Sequence, residues 1–315
     1  MNRVKRIEEK ILYYARAYPK LNQLLAFIQE PVVEIEKALK ELEEEGKIKV
    51  KGGKVEVLVE SPFGVEDLRC RRCMGRGVEI PSSWLSEFRK AVKERPKPIQ
   101  DFDQGYVTPE STVSRVAFMH FNGDLKGKEI LILGDDDLVS ICIGITGLAK
   151  RVVVLEADRR INQFINRIAG EMGWDMEAID FNLLNPLPAD FEEAFDTFET
   201  DPPETVWGIR AFVGRGIWAL RKFGSGYFGL TRIESSAEKW LEFQKILANE
   251  FRVPVTAVIN HFNFYEPWDY ETKVESPREI WYNSALVKIE KLEESRGYNE
   301  KCEHDILRDE ETITV

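Results

Sequence analysis

The sequence predicts an α/β protein: a Rossmann-like, doubly wound sheet carrying a small N-terminal winged-helix-like domain. Three observations predict it. Strand and helix patterns alternate from about residue 100 onward. An apolar run, Ile130-Leu131-Ile132-Leu133, ends in an abrupt turn, Gly134-Asp135-Asp136-Asp137. Before residue 60, three short helical patterns are followed by a hairpin pattern.

The N-terminal elements follow from periodicity and breakers. The first helix runs from about Val4 to Ala17 and stops at Pro19, and the second covers about Leu21 to Gln29. The third starts at Pro31, a favoured first-turn residue, and ends before Gly46. Lys47 to Lys51 and Lys54 to Leu58 read as strands, and Gly52-Gly53 supplies the tight turn between them. Such a domain usually binds DNA. Here the third helix, where base recognition would sit, carries Glu34, Glu36, Glu41, Glu43, Glu44 and Glu45 against Lys37 and Lys40. Phosphate would be repelled there, so residues 1–60 read as a dimerisation or scaffolding unit.

Residues 61–99 read as a connector containing Cys70-Arg71-Arg72-Cys73 and closing in Pro96-Lys97-Pro98. The second domain is expected over 100–293. Within it Ser111 to Asn122 is helical, Lys128 to Leu133 a strand and Leu138 to Leu148 a helix. Arg151 to Leu155 and Arg160 to Met172 form the next strand and helix, and Ala178 to Leu183 opens a third unit. Phe195 to Thr200 is a strand and Glu204 to Lys222 a helix. Ser225 to Thr231 is a strand, Ser236 to Glu250 a helix and Val255 to Asn260 a strand. Residues 294–315 are charged and are expected to form a mobile tail.

Composition narrows the function. The net charge of −11 argues against a duplex-nucleic-acid partner and favours a cationic or neutral one. Charged residues make up 31%, an enrichment also seen in thermophile proteins. No apolar run has the length of a membrane span, and the charged start does not read as a signal peptide, so a cytoplasmic protein is expected. Four cysteines in 315 residues do not make a disulfide framework. Cys70 and Cys73 are half of a zinc site with no second pair in the sequence, and no metal is expected.

The chemistry gathers at the strand ends, where a doubly wound sheet binds ligands. Three successive carboxylates stand where a nucleotide-binding loop is normally glycine-rich. They would repel phosphate and attract a cation. Glu156 ends the second strand, at the spacing where an acidic residue accepts ribose hydroxyls. Asn182, after the third, is placed to meet an adenine edge. Gly134, Asp135, Glu156, Ala157, Asn182 and Leu183 are therefore the expected nucleoside-side residues, a methyltransferase-like pocket for a sulfonium nucleoside. GxGxxG is absent, which argues against NAD or FAD. After the fourth strand, Asp201-Pro202-Pro203 makes a rigid turn without backbone donors, suited to accepting hydrogen bonds from an amine. Of Asp135, Asp136 and Asp137, one would face the sulfonium, one the acceptor, and one would cap the following helix.

The segments Phe102-Asp103-Gln104-Gly105-Tyr106-Val107-Thr108-Pro109-Glu110, Gly134-Asp135-Asp136-Asp137-Leu138, Asp201-Pro202-Pro203-Glu204-Thr205 and Gly226-Tyr227-Phe228-Gly229-Leu230-Thr231-Arg232, with the Cys-x-x-Cys pair, occur in one order. Together they resemble the branched-chain polyamine synthases of thermophiles, the N(4)-bis(aminopropyl)spermidine synthase family of aminopropyltransferases. The resemblance implies decarboxylated S-adenosylmethionine as co-substrate, with no permanently bound cofactor. It implies spermidine and other linear polyamines as acceptors. It places the family's central carboxylate on Asp136. Two positions depart from the family pattern: Asn182, where Asp is expected, and Glu156, where Asp is common.

On this reading Asp136 and Asp201 are the catalytic pair. Asp103, Gln104, Tyr106, Asp137, Glu204 and His120 are substrate-side candidates, and Tyr106, Phe262, Phe264, Tyr265 and Trp268 are candidates for an aromatic channel. A homodimer that binds neither nucleic acid nor membrane is expected. An S-adenosylmethionine-dependent N-methyltransferase is the alternative enzyme, and a transcription regulator the alternative class.

Overall fold

The computed structural model describes residues 3–60, 70, 73, 75–267 and 282–312. The N-terminal unit comprises α1 (Arg3–Ala17), α2 (Leu21–Ile28), α3 (Val32–Glu44), β1 (Ile48–Lys51) and β2 (Lys54–Val57). The two strands pair antiparallel, and Gly52 and Gly53 both take positive φ, as a two-residue hairpin turn requires. The apolar faces of the three helices enclose Ile7, Ile11, Leu24, Ile35 and Leu42, and the hairpin closes the core with Ile48 and Val55.

The larger unit is a seven-stranded sheet. Its strands are β3 (Glu129–Leu133), β4 (Arg151–Glu156), β5 (Met176–Asp180), β6 (Phe195–Thr200), β7 (Leu220–Leu230), β8 (Val255–Phe264) and β9 (Asn283–Glu290). The spatial order is β5-β4-β3-β6-β7-β9-β8. Pairings from β5 through β7 are parallel, and β9 runs antiparallel to both neighbours. Strand β3 is apolar from Ile130 to Leu133 because helices cover both faces. Ile130 and Ile132 pack into one core, Leu131 and Leu133 into the other. The first core meets α4 (Ser82–Ala91), α5 (Pro109–Phe121), α6 (Val139–Thr146) and α7 (Arg159–Met172). The second meets α8 (Val206–Ile209), a π turn (Arg210–Gly214), α9 (Arg215–Ala219) and α10 (Ala237–Lys245). Among the described residues no helix is long and apolar enough to cross a membrane.

Four expectations change. The later half of the connector is not a linker: α4 buries Phe88 against α5 and α6, so it belongs to the sheet domain. The helix expected over 204–222 is interrupted by the π turn and stops at Ala219, where β7 begins. Strand β9 was not anticipated, and it turns the end of the sheet into an antiparallel pair with β8. The tail, expected to be mobile, is packed. Cys302 N–H donates to the Leu184 carbonyl at 2.8 Å, the Ile306 carbonyl accepts from Thr205 at 2.7 Å, and Lys239 pairs with Asp309 at 2.7 Å. Asp309 and Glu311 bind the sheet domain through Lys239 and Ser236, while most of the tail's other charges are exposed.

The two units are joined by polar contacts at the bottom of α2. Gln29 hydrogen-bonds the Asn283 side chain and its carbonyl. Glu30 is buried and pairs with Arg6, Lys10 and Arg232. Val32 packs in a small cluster with Val107, Ile233, Tyr265 and Tyr282. The N-terminal unit thus buttresses two tyrosines that line the cavity described next.

Candidate active site

The carboxyl ends of β3, β4, β5 and β6 open into one cavity of about 370 Å³. It lies where the order of the parallel strands reverses, between β3 and β6, as expected for a doubly wound sheet. Its walls include Asp101, Asp103, Asp136, Glu156, Asp201, Glu204, Glu234 and Asp305, and no Lys or Arg among the described residues. Eight acidic residues lining one half-open space suit a ligand with several positive charges and would repel an anionic one.

One end of the cavity fits a nucleoside. Glu156 is held by two backbone donors, Asp135 N–H at 2.8 Å and Asp158 N–H at 2.7 Å, which fixes the carboxylate at the mouth of the slot. Gly134 comes next to it with φ of +74°, and a Cβ there would lie against Phe212 and Glu156. Leu155, Ala157, Phe181, Leu183 and Phe212 give this end apolar walls. Asn182 also lines it, with its Oδ1 accepting from Leu184 N–H at 2.9 Å.

The other end is built around a buried cation. Arg115, 1% exposed in the middle of α5, donates from Nη1 to Asp137 at 2.8 Å and to Glu199 at 3.0 Å. Its Nη2 meets Asp201 at 2.7 Å, and its Nε meets Asn263 at 2.7 Å. Tyr265 donates to the same Asp201 oxygen at 2.6 Å. Burial lifts the Glu199 carboxyl to about 8 despite the guanidinium. Gly229 on β7 backs Asp201 so closely that a Cβ would overlap its Oδ1. Gly229 of the Gly226-to-Arg232 segment is therefore a space requirement of the Asp201 carboxylate.

Asp136 stands apart from its neighbours. It lines the cavity and has no ion pair among the described residues. Burial and the charges of Asp137, Glu156, Asp201 and Asp135 push its carboxyl well above the usual range. Glu204 is raised for the same reasons, burial first and then Glu234 and Asp201, although it accepts Thr231 N–H at 3.0 Å. Glu234 accepts the Tyr282 hydroxyl at 2.9 Å. Asp136 and Glu204 are crowded by like charge, and a ligand cation would relieve them.

The structure brings together Asp136, Asp201, Glu204, Asp103, Gln104, Gly134, Glu156, Ala157, Asn182 and Leu183. It directs four other candidates elsewhere. Asp135 accepts Val139 N–H at 2.6 Å and Ser140 N–H at 3.2 Å, so it serves the first turn of α6, not the nucleoside. Asp137 is committed to Arg115 and to Val107 N–H, at 2.7 Å, and does not line the cavity. Tyr106 is pinned by the Pro96 carbonyl at 2.6 Å under the Arg95 guanidinium, which makes it a support for the Asp101–Gly105 loop. His120 lies exposed near the end of α5 beside Trp84, away from the cavity. Of the aromatic candidates Tyr265 reaches the cavity, while Phe262 packs in the core and Phe264 against Phe27. Trp268 lies outside the described residues. Cys70 and Cys73 are free thiols, and no group of three metal-ligating side chains occurs among the described residues.

Sequence reasoning missed Arg115, Glu199, Glu234, Tyr282 and the tail residues His304 to Leu307. A lone arginine inside Thr112-Val113-Ser114-Arg115-Val116-Ala117-Phe118 and a lone glutamate inside strand β6 were available signals: a charge in a buried element demands a partner. The tail gave none, since its placement depends on His304 stacking on Trp207 at 3.8 Å.

Comparison with known proteins agrees with this geometry. Residues 83–314 match the family model described as the C-terminal domain of branched-chain polyamine synthase A. The N(4)-bis(aminopropyl)spermidine synthase of Methanocaldococcus jannaschii is 40% identical over 310 residues, covering 91% of this chain and 88% of that one. That of Thermococcus kodakarensis is 46% identical over 264 residues, covering 79% and 75%. The branched-chain polyamine synthase of Thermus thermophilus, solved with N4-aminopropylspermidine and 5'-methylthioadenosine, superposes with a TM-score of 0.88 at 40% identity over 98% of this chain and 93% of that one. A putative RNA methyltransferase from Pyrococcus horikoshii, 16% identical with a TM-score of 0.50 over 67% of this chain and 98% of that one, shares the Rossmann-like fold. The chain belongs to the branched-chain polyamine synthase family.

Proposed function

We propose that the protein moves the aminopropyl group of decarboxylated S-adenosylmethionine to the central secondary amine of spermidine, and then a second group to the same nitrogen. Each transfer releases 5'-methylthioadenosine. The observation that carries this reading is the cavity itself: an apolar end with one fixed carboxylate, continuous with an end lined by carboxylates and, among the described residues, by no Lys or Arg.

Glu156 accepts the ribose hydroxyls, while Ala157, Asn182 and Leu183 border the adenine. Asp103, Glu204 and Glu234 hold the terminal ammonium groups, with Gln104 fixing the loop that carries Asp103. The nitrogen lone pair attacks the carbon beside sulfur. The C–S bond breaks, and its electron pair stays on what becomes a neutral thioether. In the first transfer Asp136 orients the nitrogen and takes its proton. A carboxylate held above its ordinary range is the stronger base for that step. Asp201, fixed by Arg115 and Tyr265, orients the same amine. The second transfer starts from a tertiary amine, carries no proton to remove, and ends as a quaternary ammonium. Ordinary S-adenosylmethionine brings its own carboxylate into this wall of carboxylates, which disfavours methyl transfer.

Mass spectrometry of the protein incubated with spermidine and each donor tests the reading. Aminopropyl gain with the decarboxylated donor alone is expected, and methylation by the ordinary donor would overturn it. Asp136→Asn should reduce transfer by about 10²–10⁴ while leaving the fold intact. Near-wild-type transfer would remove Asp136 from the mechanism. A cytoplasmic homodimer completes the proposal. The edge strand β8, with Val255 and Val258 exposed, gives it a surface, and light scattering on the eluted protein tests it.

A further inference from the structure

The hairpin of the N-terminal unit carries charge that the reaction does not use. Residues 46–55 hold Lys47, Lys49, Lys51 and Lys54 and no acidic residue, in a chain of net charge −11. The register sets Lys51 directly opposite Lys54. Like charges opposed across two strands destabilise a sheet. Lys49, Lys51 and Lys54 are exposed and make no ion pair among the described residues. By contrast Lys5, Lys10, Lys40 and Lys47 of the same unit each pair with a glutamate. The three lysines line an open groove with Arg16, over a floor that includes Pro19 and Val55, and Glu56 is its single acid. Arg16 is fixed there by its hydrogen bond to the Val59 carbonyl.

We propose that this groove docks the phosphodiester backbone of a nucleic acid without reading its sequence. Lys49 and Lys51 repeat at about 6.8 Å along the strand, two steps of about 3.4 Å along one nucleic-acid strand. A concave groove fits a strand and mismatches a flat bilayer, and none of its lining residues is an aromatic that would insert into lipid. The glutamates of α3 keep that helix out of a base-lined groove, so contact is confined to the hairpin and the end of α1. The expectation of no nucleic-acid partner rested on the net charge and on the acidic third helix, and neither describes the hairpin. Residues 1–60 hold 12 Lys and Arg against 11 Asp and Glu, so the acidic excess lies in the rest of the chain.

Fluorescence anisotropy of the full-length protein in polyamine-free buffer tests this. The probes are a labelled duplex of about 20 base pairs and a single strand of the same length, with anionic phospholipid vesicles as a separate arm. Binding to the oligonucleotides is expected with Kd of about 10⁻⁴–10⁻⁶ M at physiological salt, and a log K against log salt slope of about −3 on duplex. The K49E/K51E/K54E variant should bind at least about tenfold more weakly, with a slope near zero and unchanged aminopropyl transfer. Equal binding by wild type and variant, binding that ignores salt, or capture by the vesicles alone would each overturn the proposal.

Discussion

The two ends of the cavity solve opposite problems. At the nucleoside end one carboxylate, Glu156, is tied down by two backbone N–H groups and surrounded by apolar walls. It is a hydrogen-bond acceptor of fixed direction. At the amine end carboxylates crowd together, and one buried guanidinium, Arg115, is shared among three of them. Asp136 and Glu204 are left to be neutralised by whatever enters. On the proposed function, the nucleoside end is therefore preformed, whereas the amine end is electrostatically incomplete until a polycation arrives, which would select the acceptor.

The comparison can be broken from the amine end with the largest effect. Arg115→Met leaves Asp137, Glu199 and Asp201 facing each other without a cation. Loss of a buried pair's partner costs about 3–5 kcal/mol, so the thermal midpoint should fall sharply, and added spermidine should restore part of it. No loss of stability would show that the carboxylates are already neutral. Gly229→Ala pushes a methyl into Asp201 and displaces it. A misplacement of about 1 Å can cost about 10²-fold in rate. Turnover should therefore drop with 5'-methylthioadenosine affinity unchanged, as calorimetry would report. Equal losses at both ends would mean that the two halves are not separable.

Glu156→Gln sharpens the contrast from the nucleoside side. It weakens a charge-assisted hydrogen bond worth about 1.5–3 kcal/mol, so KM for the donor should rise about tenfold or more with kcat little altered. The acceptor KM should not move, and a parallel rise there would contradict the division.

The smallest effect is one of pH. The raised Asp136 and Glu204 carboxyls stay protonated in the empty folded protein at pH values where the unfolded chain has released those protons. Stability of the empty protein therefore falls as pH rises from the unfolded carboxyl range through their raised values. A bound polyamine favours the ionised forms and reverses the loss. The thermal shift caused by saturating spermidine should grow as pH rises above the unfolded carboxyl range toward the raised values of Asp136 and Glu204. A shift that does not change with pH would place the polyamine elsewhere.

Asp135, Asp136 and Asp137 show where sequence and structure part. The sequence by itself determined that three carboxylates close an apolar strand, that the site is therefore cationic in taste, and that Glu156 and Asp201 belong to the same sheet edge. These conclusions rest on local patterns, alternation, turn chemistry and strand-end position, which neighbouring residues settle. Which aspartate meets ligand was decided only by tertiary structure. Asp135 is claimed by first-turn N–H groups of α6, and Asp137 by an arginine 22 residues earlier in the chain. Only Asp136 among the three is left facing the cavity. The same holds for Glu234, Tyr282 and the packed tail. Their roles arise from contacts between distant segments, and charge in a linear sequence does not reveal which charges will be paired once it is folded.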